Sequence, residues 1–197
     1  MIKRILHISD THGLHRQLEN LPEADVIVHS GDITSEGTEE EVIDFITWFE
    51  QLPYRYKIFI AGNHDLCLLG AQLEGLEDNC YFLYGNGVEL EGLRFWGVPL
   101  LVGDIRSGHY EEMINAIPQD TDILVIHEAP CGILDDNHYP GSIPLLERVL
   151  QVNPQCHLFG HIHEAYGEST SKQTHFSNAA LTDRWCQMCN EPRLIEL

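Results

Sequence analysis

Histidine, aspartate and asparagine residues follow five short apolar runs of the sequence. In open α/β sheets, ligands bind beyond the carboxyl ends of the strands. If the apolar runs are strands, their ends direct these polar side chains towards one place. In chain order the polar segments are Asp10-Thr11-His12, Gly31-Asp32, Gly62-Asn63-His64-Asp65, His127 and Gly160-His161-Ile162-His163.

Imidazole, carboxylate and amide groups together form a mixed set of candidate metal ligands. Such a set suits Mn, Fe, Zn, Co or Ni better than Ca or Mg, which favour cages of oxygen atoms. Seven side chains are too many for one tetrahedral ion, but they suit two ions that share a carboxylate. Two such ions lie about 3.5–4 Å apart and clamp both oxygens of an in-line displacement. The residue types therefore predict a phosphate ester hydrolase with two divalent ions as cofactors, manganese first among them. The predicted ligands are Asp10, His12, Asp32, Asn63, His127, His161 and His163.

Apolar runs and helical patterns alternate along the chain, which predicts an α/β fold with a mixed sheet or a pair of sheets. The predicted strands are Ile5–Ile8, Asp25–Val28, Lys57–Ile60, Asp122–Ile126 and Cys156–Phe159. Hairpins are expected over Gly87–Val98, turning at Glu91-Gly92, and over Ala165–Phe176, turning near Lys172. The predicted helices are Thr38–Leu52, with a Thr38/Glu41 capping box, Tyr110–Ala116, and Ile143–Gln151, with Pro144 in its first turn. Since no linker or repeat interrupts the pattern, we expect one domain over residues 1–197.

The charge balance argues against several classes of partner. The 197 residues include 11 Lys+Arg and 31 Asp+Glu, a net charge of −20 with histidine neutral. Such a body repels nucleic acid polymers and anionic membranes. The sequence also shows no signal peptide or transmembrane run, so we expect a cytoplasmic protein whose partner is a small-molecule phosphoester. Nothing in it marks an interface between subunits.

Six cysteines are scattered through the chain, and Cys186 and Cys189 are the one close pair. This pair is either half of a zinc site, a redox pair or two free thiols. Since nothing nearby supplies a second pair, free thiols in a reducing compartment are favoured.

The five polar segments, in this order, resemble the motifs of the calcineurin-like metallophosphoesterase superfamily. The runs Leu158–Gly167 and His127–Asp135 are similar to a compact subgroup, the brain metallophosphoesterase-domain (MPPED) proteins, which is related to class III cyclic nucleotide phosphodiesterases. The resemblance implies a four-layer α/β/β/α sandwich of two mixed sheets flanked by helices.

The resemblance also implies a role for each residue. Asp10, His12 and His163 would hold one metal ion, and Asn63, His127 and His161 the other. Asp32 would bridge the two ions, and a metal-bridging hydroxide would attack phosphorus. His64 would contact the scissile phosphate and assist the leaving oxygen as the catalytic residue, with Asn63 also near substrate. Some brain-type members carry glycine where this chain has His161, so here the second ion should bind fully.

Other polar residues have two interpretations each. Asp65 either orients His64 or caps a short helix that begins at Leu66, and the cap is favoured. His138, in the loop Pro130–Ser142, either contacts substrate or is a solvated loop residue.

The remaining histidines divide into buried and exposed groups. His7 and His29 fall inside predicted strands, so a core or supporting position is expected. The positions of His15, His157 and His175 indicate only a surface placement.

Three functions fit the sequence. The first is hydrolysis of small phosphodiesters, with cyclic nucleotides as one candidate. It is favoured by the MPPED-like motifs and by the lack of an inserted cap or second domain. The resemblance adds a smaller reason, since no arginine of the kind that grips phosphate in the protein phosphatases stands beside these motifs. The second is a phosphomonoesterase acting on nucleotides or phosphoprotein. The third is a non-catalytic scaffold, which is disfavoured because every motif residue is present.

Overall fold

A computed structural model describes residues 1–136 and 138–197. The strands are β1 (Arg4–Ile8), β2 (Val26–His29), β3 (Tyr56–Phe59), β4 (Cys80–Phe82), β5 (Asn86–Leu90), β6 (Leu93–Val98), β7 (Ile123–Ile126), β8 (Cys156–Phe159), β9 (Gly167–Ser171), β10 (Thr174–Asn178) and β11 (Arg193–Glu196). The α-helices are α1 (Glu39–Glu50), α2 (Val102–Ser107), α3 (His109–Ala116) and α4 (Ile143–Val152). Short 3-10 helices cover His15–Gln17, Leu66–Leu68 and His163–Ala165.

The strands form two mixed sheets. The first has the order β11-β1-β2-β3-β4 and the second the order β5-β6-β7-β8-β10-β9. Strands β1 to β4 run parallel, as do β6, β7, β8 and β10, while β5, β9 and β11 pair antiparallel at the edges. The carboxyl ends of the central strands of each sheet are therefore next to one another.

Three apolar clusters separate four layers of secondary structure. One packs α1 on the first sheet, for example Phe45 against Phe59. A second fills the space between the sheets and includes Val28 and Leu158. The third packs α3 and α4 on the outer face of the second sheet, with Leu145 and Phe176 among its members. The expected α/β/β/α sandwich is confirmed.

The central strands are buried on both faces, so they appear in the sequence as continuous apolar runs. Strands β2, β3 and β7 differ from their predicted bounds by one residue, β1 begins one residue earlier, and β8 matches. Both hairpins are confirmed, with Glu91 and Lys172 at positive φ in the turns. Three elements were not predicted, namely β4, β11 and α2, because each is short and lacks a periodic pattern.

All three predicted helices are present, as α1, α3 and α4, and side chains cap α1 and α4. At the start of α1, Thr38 Oγ1 accepts from the Glu41 N–H and the Glu41 carboxylate accepts from the Thr38 N–H. At the start of α4, Ser142 Oγ accepts from the Leu145 N–H, and Pro144 occupies the first turn.

Two histidines that were expected at the surface are buried, so those predictions are wrong. His15 packs against Phe45 and Trp48, and its Nε2 lies 3.1 Å from a carboxylate oxygen of Asp44. His157 is fully buried beside Phe159 and Phe176. Its position on β8 accounts for this, because both faces of β8 are covered. His175 is half-buried.

His7 and His29 are fully buried, as predicted. The His7 ring lies 2.9 Å from the hydroxyls of Ser30 and Ser177, and the His29 ring lies 2.9 Å from that of Thr11. These bonds support the loops that follow the strands. Among the described residues, no helix is long and apolar enough to cross a membrane.

Candidate metal centre

The five polar segments meet at the carboxyl ends of β1, β2, β3, β7 and β8. The two sheets approach each other here, since Ser9, just after β1, forms an isolated bridge with Ala180, just after β10. The first sheet contributes Asp10, His12, Asp32 and Asn63, and the second contributes His127, His161 and His163.

Six candidate ligands and His64 bring their donor atoms together in three overlapping groups. The ligand atoms within a group lie within 4.8 Å of one another. The groups are Asp10/His12/His163, Asp32/His127/His161 and His12/Asp32/His64. His12 and Asp32 each belong to two groups, and the Asp32 carboxylate lies between His12 of the first sheet and His127 of the second.

The separations within the groups are those of side chains that share a cation. His163 Nε2 lies 3.2 Å from Asp10 Oδ1 and 3.4 Å from His12 Nε2. Asp32 Oδ2 lies 3.3 Å from His127 Nε2 and 3.8 Å from His12 Nε2.

One buried atom in the site indicates that the residues fit a metal ion. Asn63 Oδ1 is inaccessible to solvent and has no hydrogen-bond partner within residues 1–136 and 138–197. Leaving such a group unsatisfied costs about 1–3 kcal/mol. An amide oxygen with free lone pairs, beside carboxylates and imidazoles, is a ligand for a borderline divalent cation.

Backbone groups fix the orientation of the ligands. The Ser30 carbonyl oxygen lies 2.8 Å from His127 Nδ1, and the Asp183 carbonyl oxygen lies 2.7 Å from His163 Nδ1. A carbonyl can only accept, so Nδ1 donates and Nε2 is the nitrogen left to face a metal ion. The carboxylate of Asp10 accepts from the His161 N–H at 3.1 Å, which ties the two sheets together.

The strand-end turns place the backbone against the carboxylates. A Cβ atom at Gly62 would collide with Asp32 Oδ1, and one at Gly160 would collide with Asp10 Oδ2. Asp10 and Asp32 themselves have φ of 54° and 56°, a left-handed backbone conformation that residues other than glycine rarely adopt. Backbone strain of this kind is typical of functional sites.

The buried carboxylates and imidazoles of the site shift one another's pKa values. Burial would raise the pKa of Asp10 and lower that of His127, but their mutual attraction overcomes both effects. The pKa of Asp10 is lowered by His127 and His163, and Asp32 and Asp10 raise the pKa of His127 to about 10. The pKa of His163 rises to about 8 for the same reason, despite burial, through Asp10. The paired carboxylates therefore require a cation, which protons supply when no metal is bound.

His161 differs from these histidines. Burial, followed by the charge of nearby His127, lowers its pKa to about 4. Its imidazole is therefore neutral at physiological pH and has a lone pair available for a metal.

His64 lies at the open side of the site. Its ring is exposed and packs edge-on against His12, with ring centroids 4.7 Å apart. Its Nδ1 lies 3.1 Å from the Ser35 carbonyl oxygen. This carbonyl, and not Asp65, orients the ring.

The favoured role of Asp65 as a helix cap is wrong. The 3-10 helix over Leu66–Leu68 has no side-chain cap, because the Asp65 carboxylate turns inward and accepts from the Gly62, Ile33 and Thr34 N–H groups at 2.8, 3.2 and 2.9 Å. It thus joins the turns that carry Asp32 and Asn63. Burial, followed by the charge of Asp32, raises its pKa to about 6.

Other candidates lie outside the ligand groups. His138 is exposed, and its N–H donates to the Asp136 side chain at 2.8 Å.

In the part of the chain that the structure describes, all six cysteines are free, as predicted for Cys186 and Cys189. The sequence patterns gave no indication of Arg184, which lines a pocket with His163.

The site's geometry agrees with comparisons to known proteins. The model of the calcineurin-like phosphoesterase family matches residues 3–165. Human metallophosphoesterase domain-containing protein 1 is 33% identical over 231 residues, covering 98% of this chain and 71% of the human protein. A UPF0046 protein of Caenorhabditis elegans is 34% identical over 226 residues, covering 98% of this chain and 80% of the worm protein.

The crystal structure of TT1561 from Thermus thermophilus has the same fold. It superposes with a TM-score of 0.61 at 12% identity, covering 100% of this chain and 99% of that one. The matches in sequence, which include all five polar segments, show that the chain belongs to the calcineurin-like phosphoesterase family.

Proposed function

We propose that this protein hydrolyses small phosphodiesters, with cyclic nucleotides as one candidate, at a centre of two divalent metal ions. The observation that carries the proposal is the position of the Asp32 carboxylate, whose Oδ2 lies 3.8 Å from His12 Nε2 and 3.3 Å from His127 Nε2, one histidine of each proposed ligand set. A carboxylate between two sets of imidazoles can serve two ions at once.

The residues divide into two ligand sets. Asp10, His12 and His163 would hold the first ion, and Asn63, His127 and His161 the second, with Asp32 shared. Two ions in these positions would polarise the phosphoryl oxygens and lower the pKa of water. Manganese suits this mixture of nitrogen and oxygen ligands.

His64 would act on the leaving group. Its Nδ1 donates to the Ser35 carbonyl, so its Nε2 is the nitrogen available to substrate. In the protonated form Nε2 would donate to the leaving oxygen. General acid help of this kind contributes typically 10²–10⁴-fold. The neighbouring Asn63 amide would also lie near the phosphate.

Phosphomonoester hydrolysis is the second candidate. Arg184 supports it, because this residue lines a pocket with His163 and its positive charge would offset the extra charge of a monoester. Its Nε already lies 3.9 Å from a Glu164 carboxylate oxygen, which reduces this attraction and keeps the diester as the first choice.

A scaffold without catalysis is the third candidate. The paired carboxylates and the unpartnered Asn63 Oδ1 favour a functional metal site over a scaffold, since burying such groups is costly without a bound cation. The net charge of −20 supports a small-molecule substrate, and free cysteines support a reducing compartment such as the cytoplasm.

A comparison of two chromogenic substrates tests the proposal. Bis(p-nitrophenyl) phosphate and p-nitrophenyl phosphate are hydrolysed with saturating Mn²⁺ and again after chelation. We expect activity that favours the diester and is abolished by the chelator. A preference for the monoester would contradict the proposed diesterase activity and support phosphomonoester hydrolysis. No hydrolysis of either, with metal bound, would support the scaffold.

A further inference from the structure

A pocket of about 460 Å³ opens directly beside the candidate metal centre. The metal-ligand candidate His163 forms part of its lining, together with Glu164, Arg184, Trp185 and Asn190. Its volume falls within the range of about 300–1,000 Å³ that is usual for small-molecule sites. A phosphoester with its phosphate at the metals could therefore place its organic group here.

Asp183 fixes the loop that carries the pocket's aromatic residue. Its carbonyl accepts from His163 Nδ1 at 2.7 Å, and its Oδ1 accepts from the Trp185 and Gln187 N–H groups at 2.9 and 3.0 Å. The Asp183 N–H donates in turn to the Gln187 carbonyl at 2.9 Å. One residue thus orients the candidate ligand His163 with its backbone and holds the main chain of Trp185 with its side chain.

Trp185 presents an unusually open aromatic ring. Its side chain is 67% exposed, although burial of an indole from water is favourable. The guanidinium carbon of Arg184 lies 4.5 Å from the ring centroid, so one face of the indole already stacks on a planar group. An exposed aromatic ring is a platform on which nucleobases stack.

The pocket's polar groups indicate which planar ligand fits. Glu164 and Asn190 lie among the lining residues and can accept hydrogen bonds, which a hydrocarbon ring cannot donate. A nucleobase with an exocyclic amino group offers both a π face for the indole and donors at its edge.

We propose that Trp185 stacks on the base of a nucleotide that carries an exocyclic amino group, as adenine does, and whose phosphate lies at the metal centre. This inference rests on the proposed function for the position of the phosphate, but the stacking itself needs no metal. It assigns the Asp183–Gln187 turn as the part of the molecule that selects the organic group of the ester.

Binding of adenosine without metals tests the stacking alone. Saturation-transfer NMR is recorded with adenosine and the full chain in excess chelator, for wild type and for Trp185→Leu, Trp185→Phe and Tyr139→Leu. We expect transfer to the purine H2 and H8 protons in wild type and in Trp185→Phe, and at least a fivefold weaker signal in Trp185→Leu. Tyr139→Leu is the matched control, because Tyr139 is 71% exposed and lies outside the pocket lining, and it should resemble wild type.

Competition at the metal-loaded site provides the second readout. Inhibition constants of AMP and ribose 5-phosphate are compared, because the two differ only in the base. Loss of base stacking is worth about tenfold. We expect AMP to bind about tenfold more tightly in wild type and nearly equally to ribose 5-phosphate in Trp185→Leu.

The outcomes separate this inference from the proposed function. No adenosine signal in wild type, or an equal signal in Trp185→Leu, would overturn the stacking site even if the protein hydrolyses phosphoesters. A Trp185-dependent adenosine signal in a protein without hydrolytic activity would sustain the site and reject the proposed function.

Discussion

At the scale of single residues, backbone carbonyls orient three histidine rings of the site. In each ring Nδ1 donates a hydrogen bond to a backbone carbonyl oxygen. The pairs are His127 with Ser30, His163 with Asp183, and His64 with Ser35. The Nε2 atoms are therefore directed by the main chain, which is more rigid than a side chain. Such bonds fix both the tautomer and the orientation of a metal-binding or catalytic imidazole.

His64 gives the first prediction at this scale. Replacing His64 by Gln keeps a polar side chain but removes the imidazole that would donate to the leaving oxygen. We expect kcat for the phosphoester to fall by about 10²–10⁴-fold. Because His64 is not one of the seven proposed ligands, the manganese content measured by elemental analysis should not change.

The control is His109→Gln, which removes an exposed histidine that lies 3.3 Å from Glu112 on α3. It should leave kcat near the wild-type value. Full activity in the His64 variant with normal metal content would exclude its role as general acid.

The candidate ligand side chains could be predicted from the sequence, but their main-chain partners could not. The ligand candidates could be predicted because His, Asp and Asn at strand ends carry a chemical signal. Ser30, Ser35 and Asp183 act through carbonyls, which every residue has, so no signal in the sequence distinguishes them. Asp65 was misassigned because a cap is a local pattern, whereas its true partners, Ile33 and Thr34, are distant in sequence.

At the scale of elements, the turn after β8 must approach a ligand closely. Gly160 has no side chain, and a Cβ atom there would collide with Asp10 Oδ2 and with the Ser9 hydroxyl. Gly160→Ala should therefore displace Asp10 and reduce the affinity for the first ion by at least tenfold. Isothermal titration calorimetry with Mn²⁺ measures this change in affinity.

Gly167→Ala is the matched control in the same segment. A Cβ atom there would meet Leu134 at 3.4 Å, an ordinary contact. Manganese affinity should be preserved in this variant. Equal affinities in the two variants would show that Gly160 does not control the position of Asp10.

The buried histidine of β8 gives a prediction about pH. Burial lowers the pKa of His157 to about 3 from 6.5 in the unfolded chain. Between these values the unfolded chain binds the proton and the folded chain does not, so stability decreases as the pH falls below 6.5. His157→Leu removes this effect, and wild type should lose about 2 kcal/mol more than the variant between about pH 7 and about pH 5.

Urea unfolding at the two pH values measures that difference. Near neutral pH the variant should be at least as stable as wild type, because both ring nitrogens of His157 lack a partner among the described residues. An equal loss of stability in both proteins on acidification would contradict the assignment of His157 as a buried neutral imidazole.

The elements that could be predicted from sequence are those with a strong local pattern. Strands buried on both faces and the capped helices α1 and α4 have such patterns. The strand β11 is four residues long and pairs with β1 from the other end of the chain, so its existence depends on tertiary contacts.

At the scale of the whole molecule, the candidate ligands join two sheets. Ions bound at this junction would bind the folded chain and not the unfolded one. At a free Mn²⁺ concentration of about 100 times Kd, each ion should add about 2.7 kcal/mol to the free energy of unfolding. Urea unfolding with and without a chelator measures the gain.

Calcium is the control for that experiment. Ca²⁺ favours six to eight oxygen ligands, so a site rich in imidazole should bind it weakly and gain little stability at the same concentration. Identical stability with Mn²⁺, with Ca²⁺ and with chelator would show that no ion links the two sheets.

Asp32 is the carboxylate proposed to serve two ions, and a count of bound manganese shows whether it does. The count is made by elemental analysis after equilibration at a buffered Mn²⁺ concentration, for wild type, Asp32→Asn and Asp78→Asn. Asp78 is an exposed control for the same change of charge. We predict two ions per chain in wild type and in Asp78→Asn, and fewer than one in Asp32→Asn. Two ions per chain in Asp32→Asn would contradict the shared-carboxylate centre.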